Sequence, residues 1–433
     1  MLNAIWLGLV LVSVLYAAFT GNMKAVAAAG FANAEAAIAL VIKLTGFMIF
    51  MLGLMRVASD GGLLAAIARA LAPILRRLFP EVPPDHPAMG AMVMNLASNM
   101  LGLGNAATPF GLKAMVELNR LNPHPGVATD SMILFLVINA TAVTLMAPTG
   151  TMAVRAAAGS TAPGAIWVPT LIASTCSTLT GVAVFYLLRG RARYAARPQA
   201  VSNTVATAEA PLPVAEPTPP ALVTSPARSA LAAGIGVALL GAITWEIASP
   251  GAGRSAGDAA REIAEHWLIP LLAASLLLVG LRGGVRIYES MVAGAREGLD
   301  VVVRIVPYLV VILVAVGMFR ASGALDLLIG ALDPLTSAAG FPAAALPMVL
   351  LRPLSGSGAF AVMAEILESH GPDSFVGLLA STIQGSTETT FYVLTLYAGA
   401  AGIRDLRHAL PACLIGDLAG AIGATAACHL FFG

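Results

Sequence analysis

Two polar stretches interrupt long apolar segments of the chain: residues 102–109 (GLGNAATP) and residues 384–390 (QGSTETT). The sequence on both sides of each stretch is apolar enough to lie in a bilayer. Lipid offers no hydrogen-bond partners, so irregular backbone and ionisable groups persist at that depth only inside protein or beside a water-filled cavity. Breaks of this kind are typical of secondary transporters and predict a solute site.

The composition places the whole chain among membrane proteins. The sequence is 58% hydrophobic and 11% charged, whereas a soluble protein carries about 25% charged residues. The mean hydropathy is +0.85. Because one crossing takes about 20 apolar residues, the chain has room for about ten. We therefore predict an integral, polytopic α-helical protein.

Charge, cysteines and motifs exclude several other classes. The formal net charge of +1 favours neither a nucleic acid nor a strongly acidic partner. The three cysteines have unrelated spacings, and the six histidines show no metal-ligand spacing, so we expect no resident cofactor or metal. The sequence has no GxSxG, GxxxxGK[ST] or HExxH motif, which argues against an enzyme.

A linker is predicted at residues 198–227. That stretch has seven prolines, no aromatic residue and no Lys or Arg, so it cannot bury enough apolar surface to fold. An arginine cluster directly before it, residues 189–197, follows an apolar helix and marks the cytoplasmic side. The chain therefore divides into a first membrane half (residues 1–197), a cytoplasmic linker (residues 198–227) and a second membrane half (residues 228–433).

Apolar segments long enough for a crossing occur in both halves. Two of them, residues 88–118 and 343–369, are too long for one simple span and are broken by Gly, Ser or Pro. We interpret both as re-entrant hairpins of two half-helices. The predicted apolar segments are residues 3–19, 34–57, 88–118, 128–147, 165–188, 229–248, 267–281, 299–319, 343–369, 374–400 and 409–431.

The two halves resemble each other. In each, an apolar helix ends near an arginine, Arg56 or Arg320, and an amphipathic helix and two broken segments follow. The first amphipathic helix is rich in arginine and belongs in the cytoplasm, whereas residues 323–338 contain Asp326 and Asp333 and no Lys or Arg, and belong outside. The sequence thus predicts an all-α fold of two inverted-topology repeats, each with an amphipathic helix, a re-entrant hairpin and a broken transmembrane helix.

Several motifs resemble a known family. Residues 78–87 (LFPEVPPDHP) and 94–109 (MNLASNMLGLGNAATP) resemble spore maturation protein A, and residues 352–358 (RPLSGSG) and 385–392 (GSTETTFY) resemble spore maturation protein B. These are separate proteins in spore-forming bacteria, so the chain is similar to a fused form. Both belong to the nucleoside recognition or Gate class, which is similar to concentrative nucleoside transporters. The resemblance implies paired hairpins and broken helices around a central site, in a multi-pass protein of the bacterial cytoplasmic membrane.

The candidate substrate-binding residues lie at the tips and breaks. Glu388 is the strongest candidate, because a carboxylate inside a membrane costs about 2.5–3.5 kcal/mol unless it has a partner. Burial away from cations would suit Glu388 to carry a coupling proton, and a bound sodium ion is the alternative. Bare glycine backbone and half-helix N-termini at the tips would favour an anionic or polar solute. The candidates are Asn105, Thr108, Thr149, Ser355, Ser357, Gln384, Ser386, Thr387, Glu388 and Thr389.

These features favour a secondary transporter of a small polar or anionic solute, nucleoside-like or a small organic acid, that works by alternating access. A membrane scaffold or assembly factor of the cell envelope is the alternative, because a fold does not fix a function. For the individual serines and threonines a hydrogen bond within their own helix is the competing role. The predicted partners are the solute and the lipid bilayer. Coupling to Na⁺ or H⁺ and assembly into a homo-oligomer stay open.

Overall fold

The computed structural model describes residues 2–102, 104–146, 148–191, 225–248, 267–337 and 340–433. Helices dominate these ranges, and the β-structure within them is an isolated bridge between Val127 and Asp405. The described part contains four helices that are long and apolar enough to cross a membrane: Met23–Asp60, Pro163–Arg189, Pro226–Glu246 and Ala409–Phe432. The predicted helical membrane class is therefore confirmed.

The first half contains eight helices in its described part. The predicted segment 34–57 is the C-terminal part of a much longer helix, α2, which begins at Met23 because residues 23–33 (MKAVAAAGFAN) are compatible with helix. The helices are α1 (Leu2–Thr20), α2 (Met23–Asp60), α3 (Leu63–Leu78), α4 (Pro87–Met100), α5 (Gly104–Arg120), α6 (Asp130–Ala140), α7 (Thr149–Ala157) and α8 (Trp167–Arg189).

The described part of the second half contains nine α-helices. Most of the predicted linker lies in residues 192–224, which are outside the described part. The last two residues of the predicted linker, Pro226 and Ala227, are the first residues of α9. The helices are α9 (Pro226–Ala248), α10 (Leu268–Gly283), α11 (Ile287–Ala321), α12 (Ala324–Ser337), α13 (Leu346–Leu351), α14 (Gly356–His370), α15 (Phe375–Ser386), α16 (Thr390–Ala400) and α17 (Ala409–Phe432).

Side-chain caps set the start of three short helices around the centre. Thr129 accepts a hydrogen bond from the backbone N–H of Met132 at the start of α6, and Ser374 accepts one from Gly377 at the start of α15. Ser355 caps α14 in the same way through Gly358. Each cap satisfies a backbone donor that the helix leaves free, which is worth about 1 kcal/mol.

Two pairs of long helices, α2 with α11 and α8 with α17, pack against each other in antiparallel fashion. Gly294 of α11 lies against Gly53 of α2, while Gly317 near the other end of α11 lies under the side chain of Asn33. Between α8 and α17, the Ser177 hydroxyl donates to the carbonyl oxygen of Gly416 at 2.8 Å. Glycine at these contacts lets the helix backbones approach closely, as small residues do between membrane helices.

Candidate functional site

Two helix breaks meet at the centre of the protein. The first separates α6 from α7, and the second, residues 387–389, separates α15 from α16. The backbone N–H of Glu388 donates to the carbonyl oxygen of Ala140 at 2.9 Å, and the Thr144 hydroxyl donates to that of Gly385 at 2.9 Å. A Cβ atom at Gly385 would lie 3.1 Å from Pro148, which directly precedes Thr149. The break between α6 and α7 and the break at residues 387–389 are therefore in direct contact.

Each break is also bonded to the helix turn that precedes it. The backbone N–H of Met146 donates to the carbonyl oxygen of Met100, which ends α4, at 3.1 Å. The backbone N–H of Phe391 donates to that of Pro353, in the turn between α13 and α14, at 3.0 Å. These bonds supply partners to backbone groups that the interrupted helices leave free, so each turn and its break form one local unit.

Arg352 links the second turn to the second break. Its guanidinium is buried, donates to the Thr389 hydroxyl at 3.1 Å and donates to the carbonyl oxygen of Thr387. A Cβ atom at Gly356 would lie 2.7 Å from the Thr389 hydroxyl, which explains why the turn needs glycine there. Arg352 is absent from the predicted site. The sequence did offer a signal for Arg352, because it lies inside an apolar segment. A cation in such a segment needs a partner, as the carboxylate of Glu388 does.

Glu388 lies in a half-exposed position close to a cation. Its side chain is 50% exposed, and its Oε2 lies 4.0 Å from Nη2 of Arg352, so Glu388 is neither buried nor remote from a cation. The break exposes the side chain because no helical turn covers it there, and Arg352 reaches it from the neighbouring turn. A second carboxylate, Asp417 of α17, is buried and accepts a hydrogen bond from Thr390 at 2.7 Å. The centre therefore combines two carboxylates with one guanidinium.

The first turn joins α4 to α5, and these two helices make a different set of contacts. Asn95 of α4 donates to the carbonyl oxygen of Ala107 at 2.8 Å and to the hydroxyl of Tyr397 at 3.2 Å. Thr108 also hydrogen-bonds to Tyr397, so this predicted site residue joins α5 to α16. Asn105 lies in the first turn of α5, and its side chain is outside the described part of the structure. Residues 105–108 are thus helical, and the turn itself precedes them.

The remaining predicted residues have mixed surroundings. Ser386 donates to the carbonyl oxygen of Ile383 at 2.9 Å, which is the bond within its own helix that competes with a binding role. The hydroxyls of Ser355 and Ser357 lie 3.5 Å apart at the start of α14. Thr149 is the first residue of α7, and Gln384 lies in the last turn of α15.

Buried polar atoms without a hydrogen-bond partner concentrate at this centre. Within the described residues they belong to α4, α8, the second turn, the last turn of α15 and α17, all of which border the two breaks. Leaving a buried polar atom unpaired costs about 1–3 kcal/mol, so native proteins rarely keep several together without a ligand, an ion or water. The atoms are Asn95 Oδ1, Thr170 Oγ1, Arg352 Nε, Gln384 Oε1 and Asp417 Oδ1.

Two ion pairs connect the halves on either side of the centre. Arg155, at the end of α7, is fully buried, and its Nη2 lies 2.9 Å from Oδ1 of Asp373, just before α15. Arg407, two residues before α17, has its Nη1 2.6 Å from Oδ1 of Asp130, which begins α6. The first pair joins the end of α7 to the start of α15, and the second joins the loop between α16 and α17 to the start of α6. Neither pair follows from the sequence pattern, because its members lie far apart along the chain.

We expect the Arg155–Asp373 contact to give a defined pH dependence. Partial burial alone would raise the pKa of Asp373, but hydrogen bonds from Ser160 and Thr161 and the charge of Arg155 hold it below its usual range. A lowered carboxyl pKa stabilises the fold above the unfolded-state value of about 3.9, and the stabilisation is lost as pH falls through the folded-state pKa. In thermal unfolding in detergent, Asp373→Asn should therefore be less stable than wild type at pH 7, and the gap should narrow below about pH 4. A gap independent of pH would contradict this assignment.

Comparisons with known proteins agree with the resemblance noted in the motifs. The chain is 46% identical over 172 residues to spore maturation protein B of Bacillus subtilis, a match that covers 39% of this chain and 97% of that protein. It is 40% identical over 192 residues to spore maturation protein A of the same organism, which covers 44% of this chain and 97% of that protein. No solved structure matches the chain. The family model for nucleoside recognition (Gate) matches residues 41–159 and 302–404, more than half of the sequence. The chain is a membrane protein of the nucleoside recognition (Gate) family.

Proposed function

We propose that the chain is a secondary transporter of the bacterial cytoplasmic membrane that moves a small polar solute by alternating access. The concentration of unpartnered buried atoms where the two breaks meet carries this proposal. Substrate and ion sites of many transporters are built from interrupted helices near the middle of the membrane, where loosened backbone and polar side chains replace water around the solute. The half-exposed carboxylate of Glu388 fits the same interpretation, because exposure at a helix break requires a polar cavity.

The architecture of the proposed transporter is a pair of inverted repeats. In this account α4–α5 and α13–α14 are re-entrant hairpins, and α6–α7 and α15–α16 are broken transmembrane helices. The antiparallel packing of α2 on α11 and of α8 on α17 supports it, because corresponding elements of inverted repeats run in opposite directions across the membrane.

The inverted arrangement predicts the sides of the two amphipathic helices. Single cysteines placed at Arg77 in α3 and at Asp326 in α12 should react with an impermeant thiol reagent from opposite sides of the membrane, Arg77 from the cytoplasm. The measurement is labelling in intact cells compared with inverted vesicles, in a background without the three native cysteines. If both positions react from the same side, the inverted repeat is wrong.

The charges at the centre narrow the chemistry of the solute. Glu388 and Asp417 outnumber Arg352, so the site favours a neutral polar solute that moves together with a cation over an anion that moves alone. A nucleoside-like solute offers hydroxyl and amide groups that would satisfy Gln384 and Asn95. Either H⁺ on a carboxylate or Na⁺ between the carboxylates would supply the coupling cation.

The second candidate function is a scaffold or assembly factor of the envelope. It is favoured by the names of the two Bacillus relatives, which describe spore maturation. The experiment that separates the two functions is uptake of labelled nucleosides and small organic acids into liposomes that contain the purified chain, with an imposed H⁺ or Na⁺ gradient. Gradient-dependent accumulation of one solute supports transport, and equal counts in protein-free liposomes for the whole panel contradict it.

A further inference from the structure

A second polar group lies away from the central site, at the ends of α11 and α14. Arg320 Nη2 lies 2.6 Å from Oε1 of Glu365, with the two side chains 34% and 8% exposed. Helix α5, which follows the first turn as α14 follows the second, carries Lys113 as its tenth residue where α14 carries Glu365 as its tenth. The pair is therefore special to the second half and is not a requirement of the shared architecture.

Two cavities of opposite character share this ion pair as a common wall. The polar cavity, of about 260 Å³, is bordered by the amide of Asn33, the hydroxyl of Ser369 and the carboxylate of Glu368 as well as the pair. The apolar cavity, of about 220 Å³, is lined mainly by hydrophobic side chains of α11, α12, α13 and α14: Val316, Phe319, Leu325, Leu350, Leu351 and Ile366. A polar cavity directly beside an apolar one suits an amphiphilic ligand, because each cavity can take one end of the molecule.

Both cavities lie near the C-terminal ends of α11 and α14. Arg320 is one residue before the end of α11, and Glu368 is two residues before the end of α14. The apolar cavity is bordered by Leu350, whose side chain is 61% exposed. In a membrane protein an exposed leucine faces acyl chains, so this cavity opens towards lipid. Because the ends of membrane helices lie near the headgroups, we expect the polar cavity to lie at headgroup depth.

We propose that the two cavities bind one aminophospholipid of the bilayer. An acyl chain enters the apolar cavity, the lipid phosphate lies against Arg320, and the primary ammonium donates to Glu368. The two carboxylates, Glu365 and Glu368, face one guanidinium, so the polar cavity carries a net negative charge that selects an ammonium group over an uncharged glycerol headgroup. A trimethylammonium group has no N–H to donate, which sets phosphatidylcholine apart from phosphatidylethanolamine. This proposal does not depend on transport activity.

The test is native mass spectrometry of the full-length purified chain after delipidation in detergent. Phosphatidylethanolamine, phosphatidylglycerol and phosphatidylcholine with identical acyl chains are added in equal amounts. We expect about threefold higher retention of phosphatidylethanolamine than of either other lipid, as one partly exposed charge contact gives. Glu368→Gln should abolish this preference. Because Glu368 is exposed, this variant keeps the fold.

A second variant tests the acyl-chain compartment. Ala344→Phe fills part of the apolar cavity and should lower the retention of all three lipids, while Ala233→Phe on the exposed surface of α9 should leave it unchanged. Equal retention of the three lipids by wild type, highest retention of phosphatidylglycerol, or unchanged retention in Ala344→Phe would each overturn the proposal.

Discussion

Replacing Arg352 with methionine should remove solute binding and destabilise the protein by about 3–5 kcal/mol, the cost of breaking a buried charge network. The methionine fills similar volume but cannot donate to Thr389 or to the carbonyl oxygen of Thr387. It also leaves Glu388 and Asp417 without the cation between them. Thermal unfolding in detergent and uptake into liposomes measure the two effects.

Two control variants make the Arg352 result specific. Arg352→Lys keeps the charge but lacks the planar fork of donors, so we expect an intermediate loss of both stability and uptake. Arg286→Met removes a guanidinium that is 85% exposed and pairs at 3.9 Å with Glu289, which is 59% exposed, and it should change little. If Arg352→Met unfolds at the wild-type temperature, Arg352 does not hold the break in place.

Substituting Gly294 with alanine should destabilise the protein by about 1–3 kcal/mol, the usual cost of overpacking. A Cβ atom at Gly294 would lie 2.5 Å from Cβ of Arg56, 2.7 Å from the carbonyl oxygen of Leu52 and 2.9 Å from Cα of Gly53. Two of these three atoms are backbone, so α2 and α11 would have to separate. Unfolding of the purified variant in detergent measures the loss.

The matched control for Gly294 is Gly236 in α9. No atom lies within 4 Å of the Cβ that alanine would add there. Alanine is a better helix former than glycine by about 1 kcal/mol, so Gly236→Ala should leave stability unchanged or raise it. We therefore expect Gly294→Ala to lower the unfolding temperature and Gly236→Ala to leave it unchanged or raise it. If both variants shift the unfolding temperature in the same direction, the close contact of α2 and α11 does not limit stability.

The sequence was sufficient to predict where the helices are interrupted, but not which groups meet there. Glycine, proline and clustered hydroxyls mark residues 102–109 and 384–390 because they weaken an apolar helix locally. The first turn nevertheless falls before Asn105, since Asn-Ala-Ala-Thr is compatible with a first helical turn once Gly104 has begun α5. The local sequence thus predicted that the helix is interrupted but placed the interruption a few residues too late.

The charged contacts could not be predicted, because they join distant parts of the chain. Arg155 and Asp373 are 218 residues apart, and Arg407 and Asp130 are 277 residues apart. The exposure of Glu388 likewise depends on which helices surround the break, and the position of Arg352 depends on how the second turn folds back onto it. The exposure of Glu388 and the position of Arg352 depend on how separate helices pack together. Sequence patterns within one helix do not predict that packing.

Uptake by the Glu388→Gln variant tests the central claim most directly. Glutamine keeps the shape of the side chain and removes the charge, and the half-exposed position should tolerate it, so folding should remain intact. The matched control is Glu297→Gln, which loses an exposed ion pair with Arg56 far from the breaks. We predict that gradient-driven accumulation in liposomes is lost in Glu388→Gln and retained in Glu297→Gln. Wild-type accumulation by Glu388→Gln would contradict the assignment of the solute site to the meeting point of the two breaks.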